Sequence, residues 1–156
     1  MTGPTPGASG GGNRRREVPA GTYRLQVTAD FTLDDAAGVS GYLADLGVTH
    51  AYSSPLLRSA AGSTHGYDTT DHAHIDESRG GQPGLDRFVA ALHDAGLGLV
   101  LDLVPNHMGV SDAHESGWWW DLLRHGRDSA HADAFDVDWD FGGGRVRVPV
   151  LGSGDD

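Results

Sequence analysis

Residues Asp102 to His107 read Asp-Leu-Val-Pro-Asn-His, so a carboxylate, a side-chain amide and an imidazole converge at the end of an apolar run. Pro105 cannot donate to a sheet ladder, so the run stops there and leaves Asn106 and His107 exposed just beyond it. Asp102 alone could be a structural acid bonded to backbone donors. Three such groups gathered at the carboxyl end of a parallel strand point instead to an active site.

A second polar stretch, Gly-Ser-Thr-His-Gly-Tyr-Asp over Gly62 to Asp68, is not built to fill a core. Gly62 and Gly66 give the backbone freedom around Ser63, Thr64, His65, Tyr67 and Asp68. A sugar offers an apolar C–H face and a fringe of hydroxyls, so Tyr67 could stack on it while Asp68 and His65 orient its hydroxyls. The same residues could equally make a well-capped turn.

Metal binding is a third possibility. His65, His72 and His74, with Asp68, Asp71 and Asp76, are ligand types that suit several divalent ions and a metal-dependent hydrolase. His-x-His spacing arises readily in a chain with nine His, which weakens that reading. Asp136 to Phe141 begins like a calcium loop, but Phe141 and Arg147 stand where the turn Gly and the terminal Glu belong, which rejects it. Trp118, Trp119 and Trp120 are either a sugar platform or core anchors, and adjacent residues on a helix cannot share one face.

The elements that would position these groups follow from hydrophobic periodicity. Thr22 to Val27 alternates as a strand, with Tyr23, Leu25 and Val27 on one side. Thr32 and Asp35 form a capping box for a helix carrying Ala36, Val39, Leu43 and Leu46 on one stripe, closed by Gly47. A second strand starts at Val48 and is stopped by Pro55. After a long polar connection, Leu85, Phe88, Val89 and Leu92 define another amphipathic helix, closed by Gly96.

Leu97 to Val104 then reads as a third strand, apolar on both faces as in a covered parallel sheet. Trp118 to Gly126 reads as a helix, and Arg145 to Val150 alternates like a short exposed strand. The fold class is therefore α/β: about three βα units of a (β/α)₈ TIM barrel, or part of an open doubly wound sheet. Long connections at carboxyl strand ends are where function sits, and both polar motifs lie on them.

Composition narrows the partners. The 156 residues are 38% hydrophobic, enough for one domain with a core. A net charge of -11 disfavours nucleic acid and anionic membrane surfaces, and no run is long enough to span a bilayer. The absence of cysteine rules out disulfides and fits a reducing compartment, so the cytoplasm is expected. Residues 1–21 are rich in Gly, Pro and Ser and are expected to form a flexible tail; no apolar export segment follows Arg14 to Arg16.

Asp102 to His107 resembles the first short signature of the α-amylase superfamily of glucan-processing enzymes, and Gly66-Tyr67-Asp68 resembles its sugar-stacking loop. More narrowly, Thr22 to Gln26, Tyr42 to Tyr52, Gly62 to Asp68, Asp102 to Val110 and Trp118 to Gly126 resemble the maltooligosyl trehalose synthase family. That resemblance settles the fold expectation on the barrel: residues 22–110 as its first βα units and 111–156 as the start of an inserted subdomain. It implies an intramolecular transglucosylation that turns the reducing-end α-1,4 bond of a malto-oligosaccharide, or α-1,4-glucan, into an α,α-1,1 bond.

The resemblance also implies roles. Tyr67 would stack on the reacting glucose, with Asp68 beside it, and His107 would hydrogen-bond its hydroxyls. Asp102 would brace an arginine near the nucleophile, with His65 and Asn106 supporting the site. Asn106 matches a position that binds calcium in some amylases, yet neither a metal nor a cofactor is expected in this branch. Retaining transfer needs two carboxyl groups roughly 5 to 5.5 Å apart. In this family those carboxylates stand on later strands, so the chain is expected to be an amino-terminal fragment without its catalytic residues and without turnover of its own. Other expectations compatible with the sequence are a superfamily glucan hydrolase and a non-catalytic glucan-binding remnant.

Overall fold

The computed structural model describes residues 18–141 and 143–148. Three strands form a parallel sheet in the order β1, β2, β5: β1 is Thr22–Leu25, β2 is His50–Ser53 and β5 is Gly98–Leu101. Each step between neighbouring strands passes through helix, which is the βαβ arrangement expected of a parallel sheet. Of the expected tail, residues 1–17 lie outside the described residues. Ala20 and Gly21 donate their amides to Thr49 Oγ1 at 3.0 and 3.3 Å, which ties the approach to β1 onto β2.

The first helical segment begins as its sequence dictates. Thr32 Oγ1 accepts the Asp35 amide and Asp35 Oδ2 accepts the Thr32 amide, so two orphan donors are satisfied reciprocally. One continuous helix to Gly47 is not what forms. α1 (Leu33–Gly38) and α2 (Ser40–Asp45) are separated at Val39, which leaves helical geometry. Gly38, Ser40 and Gly41 flank that point and offer little helical propensity to hold it straight. The kink buries Ala36 and Leu43 but leaves Leu46 50% exposed, outside the stripe that periodicity assigns it.

α3 (Gly81–Asp94) packs on α1 and buries Phe88 and Leu92, with Leu85 packed beside them, whereas Val89 of the expected stripe is only partly buried and lies outside that cluster. Gly84 allows the close approach, since a Cβ there would stand 3.2 Å from Leu33 Cβ. With Leu25 and Ala51 from the sheet and Val27 just beyond β1, these buried side chains form the core. Each Å² of apolar area that this face removes from water contributes about 25 cal/mol to folding.

The connection after β2 is not a bare loop. β3 (Leu57–Ser59) and β4 (Thr69–Ile75) pair antiparallel with register shifts, and Gly62 to Asp68 is the tip of that hairpin. β5 ends three residues before Val104, and its apolar character does not mean coverage on both sides: Leu101 is 45% and Leu103 63% exposed. Register places Leu101 with Leu25 on the helix-side face, so its exposure follows from β5 being an edge strand of the described sheet.

Beyond Val110 the chain forms α4 (Gly117–His125) and two short 3₁₀ turns. Ser116 caps α4 through the Trp119 amide. Of the tryptophans, Trp119 is buried against Phe135 and Trp118 is 41% exposed, so the three do not share a face. Arg145 to Val148 forms no strand, and Pro149 and Val150 of that expected element lie outside the described residues.

Candidate active site

Register and pleat decide what meets at the carboxyl end of the sheet. Arg24, Tyr52 and Val100 are partners across the three strands, and residues two apart on a strand share a face. Arg24, Tyr52 and, two residues beyond Val100, Asp102 therefore project from the side opposite the helices. The Asp102 carboxylate collects its neighbours on one oxygen. Its Oδ2 accepts the Tyr67 hydroxyl at 2.7 Å and the Tyr52 hydroxyl at 3.0 Å, with Arg24 Nη2 at 3.5 Å.

Tyr67 arrives from the hairpin tip. Its phenolic oxygen also accepts Arg24 Nη2 at 3.0 Å, so the phenol sits between a carboxylate and a guanidinium. The bond to Asp102 stabilises the protonated phenol and raises its pKa, with Arg24 opposing. The same phenol raises the pKa of Arg24, which stays charged. Tyr67 remains 39% exposed, with surface available to a ligand.

The tip is held by its own residues. His65 Nδ1 accepts the Tyr67 amide at 3.1 Å, and the two rings stack with centroids 6.1 Å apart. Asp68 Oδ1 accepts the Ser63 hydroxyl at 2.5 Å, and the Asp68 carbonyl accepts the Ala60 amide. His107 Nε2 donates to the Tyr67 carbonyl at 2.8 Å, and Asn106 Oδ1 lies 3.3 Å from its Nδ1. All six residues picked out from the two motifs thus belong to one neighbourhood.

Beneath the tip sits Arg79, fully buried, which donates to the carbonyls of Pro55 (3.1 Å) and Ser63 (3.2 Å). Gly66 has φ +81° and lies so close that a Cβ would come within 2.7 Å of Arg79 Nη1. Asp76 adjoins this cluster. Burial alone would push its carboxyl up, but hydrogen bonds from Ser78 and Ser59 outweigh that and hold it below the ordinary range.

Sequence reasoning missed Arg24, Gln26, Tyr52 and Arg79. The first three had a usable signal: polar residues at alternate positions near the carboxyl ends of parallel strands, where sites are built. The histidines and aspartates around residues 65 to 76 point in different directions: His72 Nε2 bonds the Val104 carbonyl and His74 pairs with Asp71. Among the described residues no three His, Asp or Glu side chains gather as a metal site. A cleft of about 280 Å³ runs from Asn106 and His107 to Trp118, whose ring stacks on His131 at 5.0 Å.

Residues 32–140 match the family described as alpha amylase, catalytic domain. The chain belongs to that family. The α-amylase relatives agree on the barrel: the maltooligosyltrehalose synthase structure from Arthrobacter ramosus superposes with a TM-score of 0.84 at 54% identity, covering 88% of this chain and 18% of that one. The fold is therefore α/β, the amino-terminal part of a (β/α)₈ barrel. A putative maltooligosyl trehalose synthase of Mycobacterium tuberculosis (strain ATCC 25618 / H37Rv) is 47% identical over 86% of this chain and 18% of its own length. A malto-oligosyltrehalose trehalohydrolase of Rhizobium sp. (strain M-11) is 36% identical over 86% of this chain and 22% of its own. The chain thus spans about a fifth of the relatives it matches.

Proposed function

We propose that these residues form the glucose-facing wall of a maltooligosyl trehalose synthase, an enzyme that moves the reducing-end glucose of a malto-oligosaccharide from an α-1,4 to an α,α-1,1 linkage. The observation that carries this reading is the Tyr67 ring, held at the carboxyl end of a parallel sheet by Asp102 and Arg24 and by His107 at its carbonyl. An aromatic face with ordered polar groups at its rim suits a sugar, whose C–H face stacks while its hydroxyls are oriented. The 54% and 47% identities to proteins named for this activity support the choice of substrate.

In this reading Tyr67 stacks on the reacting glucose, Asp68 and His107 lie at its rim, and Asp102, Asn106 and His65 support them. Retaining transfer further requires a nucleophilic carboxylate and an acid/base carboxyl. No residue described above is placed in either role, so the 156 residues alone are proposed to bind without turnover. Residues 22–110 serve as the barrel's first βα units and 111–156 as the start of an inserted subdomain. The enzyme needs no metal or cofactor for this chemistry, and works in the cytoplasm, which the absence of cysteine suits.

A hydrolase is the second reading, favoured by the 36% identity to the trehalohydrolase. Product analysis separates the two. The protein translated from the whole reading frame that contains these residues is incubated with maltopentaose. Loss of reducing ends without release of glucose as the main product is expected; accumulation of shorter reducing sugars would replace the proposal with the hydrolase.

A further inference from the structure

Asp102 and His107 explain how the hairpin tip meets the third strand of the sheet, but the tip is also tied to the first. Arg24 and Gln26 lie two apart along the first-strand segment and so project from the same side. Arg24 Nη1 donates to Gln26 Oε1 at 2.9 Å, which aims the amide nitrogen outward. Gln26 Nε2 then donates to the carbonyl of Thr64 at 3.1 Å and approaches that of His65 at 3.5 Å. The other guanidinium nitrogen, Nη2, donates to the Tyr67 phenol at 3.0 Å and faces Asp102 at 3.5 Å. The guanidinium carbon itself lies 5.3 Å from the centre of the Tyr52 ring, within cation–π range.

We propose that Arg24 is the positioning residue of the sugar-facing wall: one nitrogen of its fork sets the Tyr67 ring, and the other, through Gln26, ties the Thr64–His65 end of the tip to the first strand. The planar fork suits the task. Two donors at fixed spacing can orient an amide and a phenol together, whereas a single ammonium on a flexible stem can satisfy one of them. The ring and the tip backbone are thereby ordered before any ligand arrives, which lowers the ordering cost of binding. The inference rests on the proposed function only in taking a glucan as the ligand that Tyr67 meets.

Hydrogen–deuterium exchange on the 156-residue chain tests it, comparing amides of Gly62–Asp68 with those of Gly81–Asp94. In Arg24→Met the tip should exchange roughly tenfold faster while the helix is unchanged, and Arg24→Lys should recover part of the protection. Unchanged tip exchange in Arg24→Met overturns the proposal. Should Arg24→Met loosen the helix as well, Gln26→Met decides, because it breaks the ties to Thr64 and His65 and leaves the phenol bonded. Faster exchange confined to the tip in that variant supports the role, and no change overturns it. Maltopentaose affinity on the same proteins should fall roughly fivefold in Arg24→Met and partly return in Arg24→Lys. A tip that loosens as expected in a chain that binds no maltopentaose would retain Arg24 as a positioning residue and remove the glucan reading.

Discussion

The two faces of one three-stranded sheet are built on opposite principles. On the helix side, Leu25, Ala51, Phe88 and Leu92 are excluded from solvent and held by packing. On the other side, Arg24, Tyr52 and Asp102 hold one another and Tyr67 by directed polar contacts, and the groups stay partly open to water. Adjacent residues of the same strands serve both, because the pleat turns every second side chain the other way. Apolar packing and directed polar contact are therefore assigned to separate side chains, and under the proposed function substitutions should separate stability from glucan binding.

The largest contrast is expected between Phe88→Ala and Tyr67→Ala. Phe88→Ala should lower unfolding free energy by about 3–5 kcal/mol in a denaturant titration, through lost transfer energy and a cavity. Tyr67→Ala should cost about 1 kcal/mol or less while abolishing measurable glucan binding. Comparable stability losses in both would erase the division of labour.

Gly66→Ala crosses the division. At φ +81°, with Arg79 and the Pro55 carbonyl within 2.8 Å of a new Cβ, it should cost about 2–3 kcal/mol and displace Tyr67 as well. Denaturation and sugar titration on one sample check both effects together. Thr32→Ala removes a cap remote from the site and should cost about 1 kcal/mol with glucan binding unchanged.

Acid supplies the gentlest probe. The folded-state pKa of Asp76 is depressed, so its stabilisation is complete above the ordinary carboxylate value of about 3.9 and is lost as pH falls through the depressed one. Far-UV circular dichroism with urea should show stability falling below about pH 4, with a shallower fall in Asp76→Asn. Equal acid slopes would deny Asp76 that part.

The helix side was the legible side. Apolar spacing over Leu85 to Leu92 and the Thr32–Asp35 box are local signals that depend on nothing beyond their own segment. What escaped detection was either masked by a stronger local signal or depended on partners far along the chain. The turn at Val39 follows from weak propensity at Gly38, Ser40 and Gly41, which the apolar stripe masks. β3 and β4 hide because Thr69 and Thr70 are both buried and the register shifts, so no two-residue alternation survives. At the site, the two motifs marked Tyr67 and Asp102, but Arg24 joins them only through strand register, and the buried Arg79 only through the carbonyls of a folded hairpin.

Titration of isotopically labelled chain with maltopentaose, followed by amide chemical shifts, tests the central claim most directly. The account predicts saturable shifts at Tyr67, Asp68 and His107 that vanish in Tyr67→Ala, while Phe88 and Leu92 stay still. Shifts absent up to millimolar sugar, or confined to residues away from the sheet's carboxyl end, would contradict it.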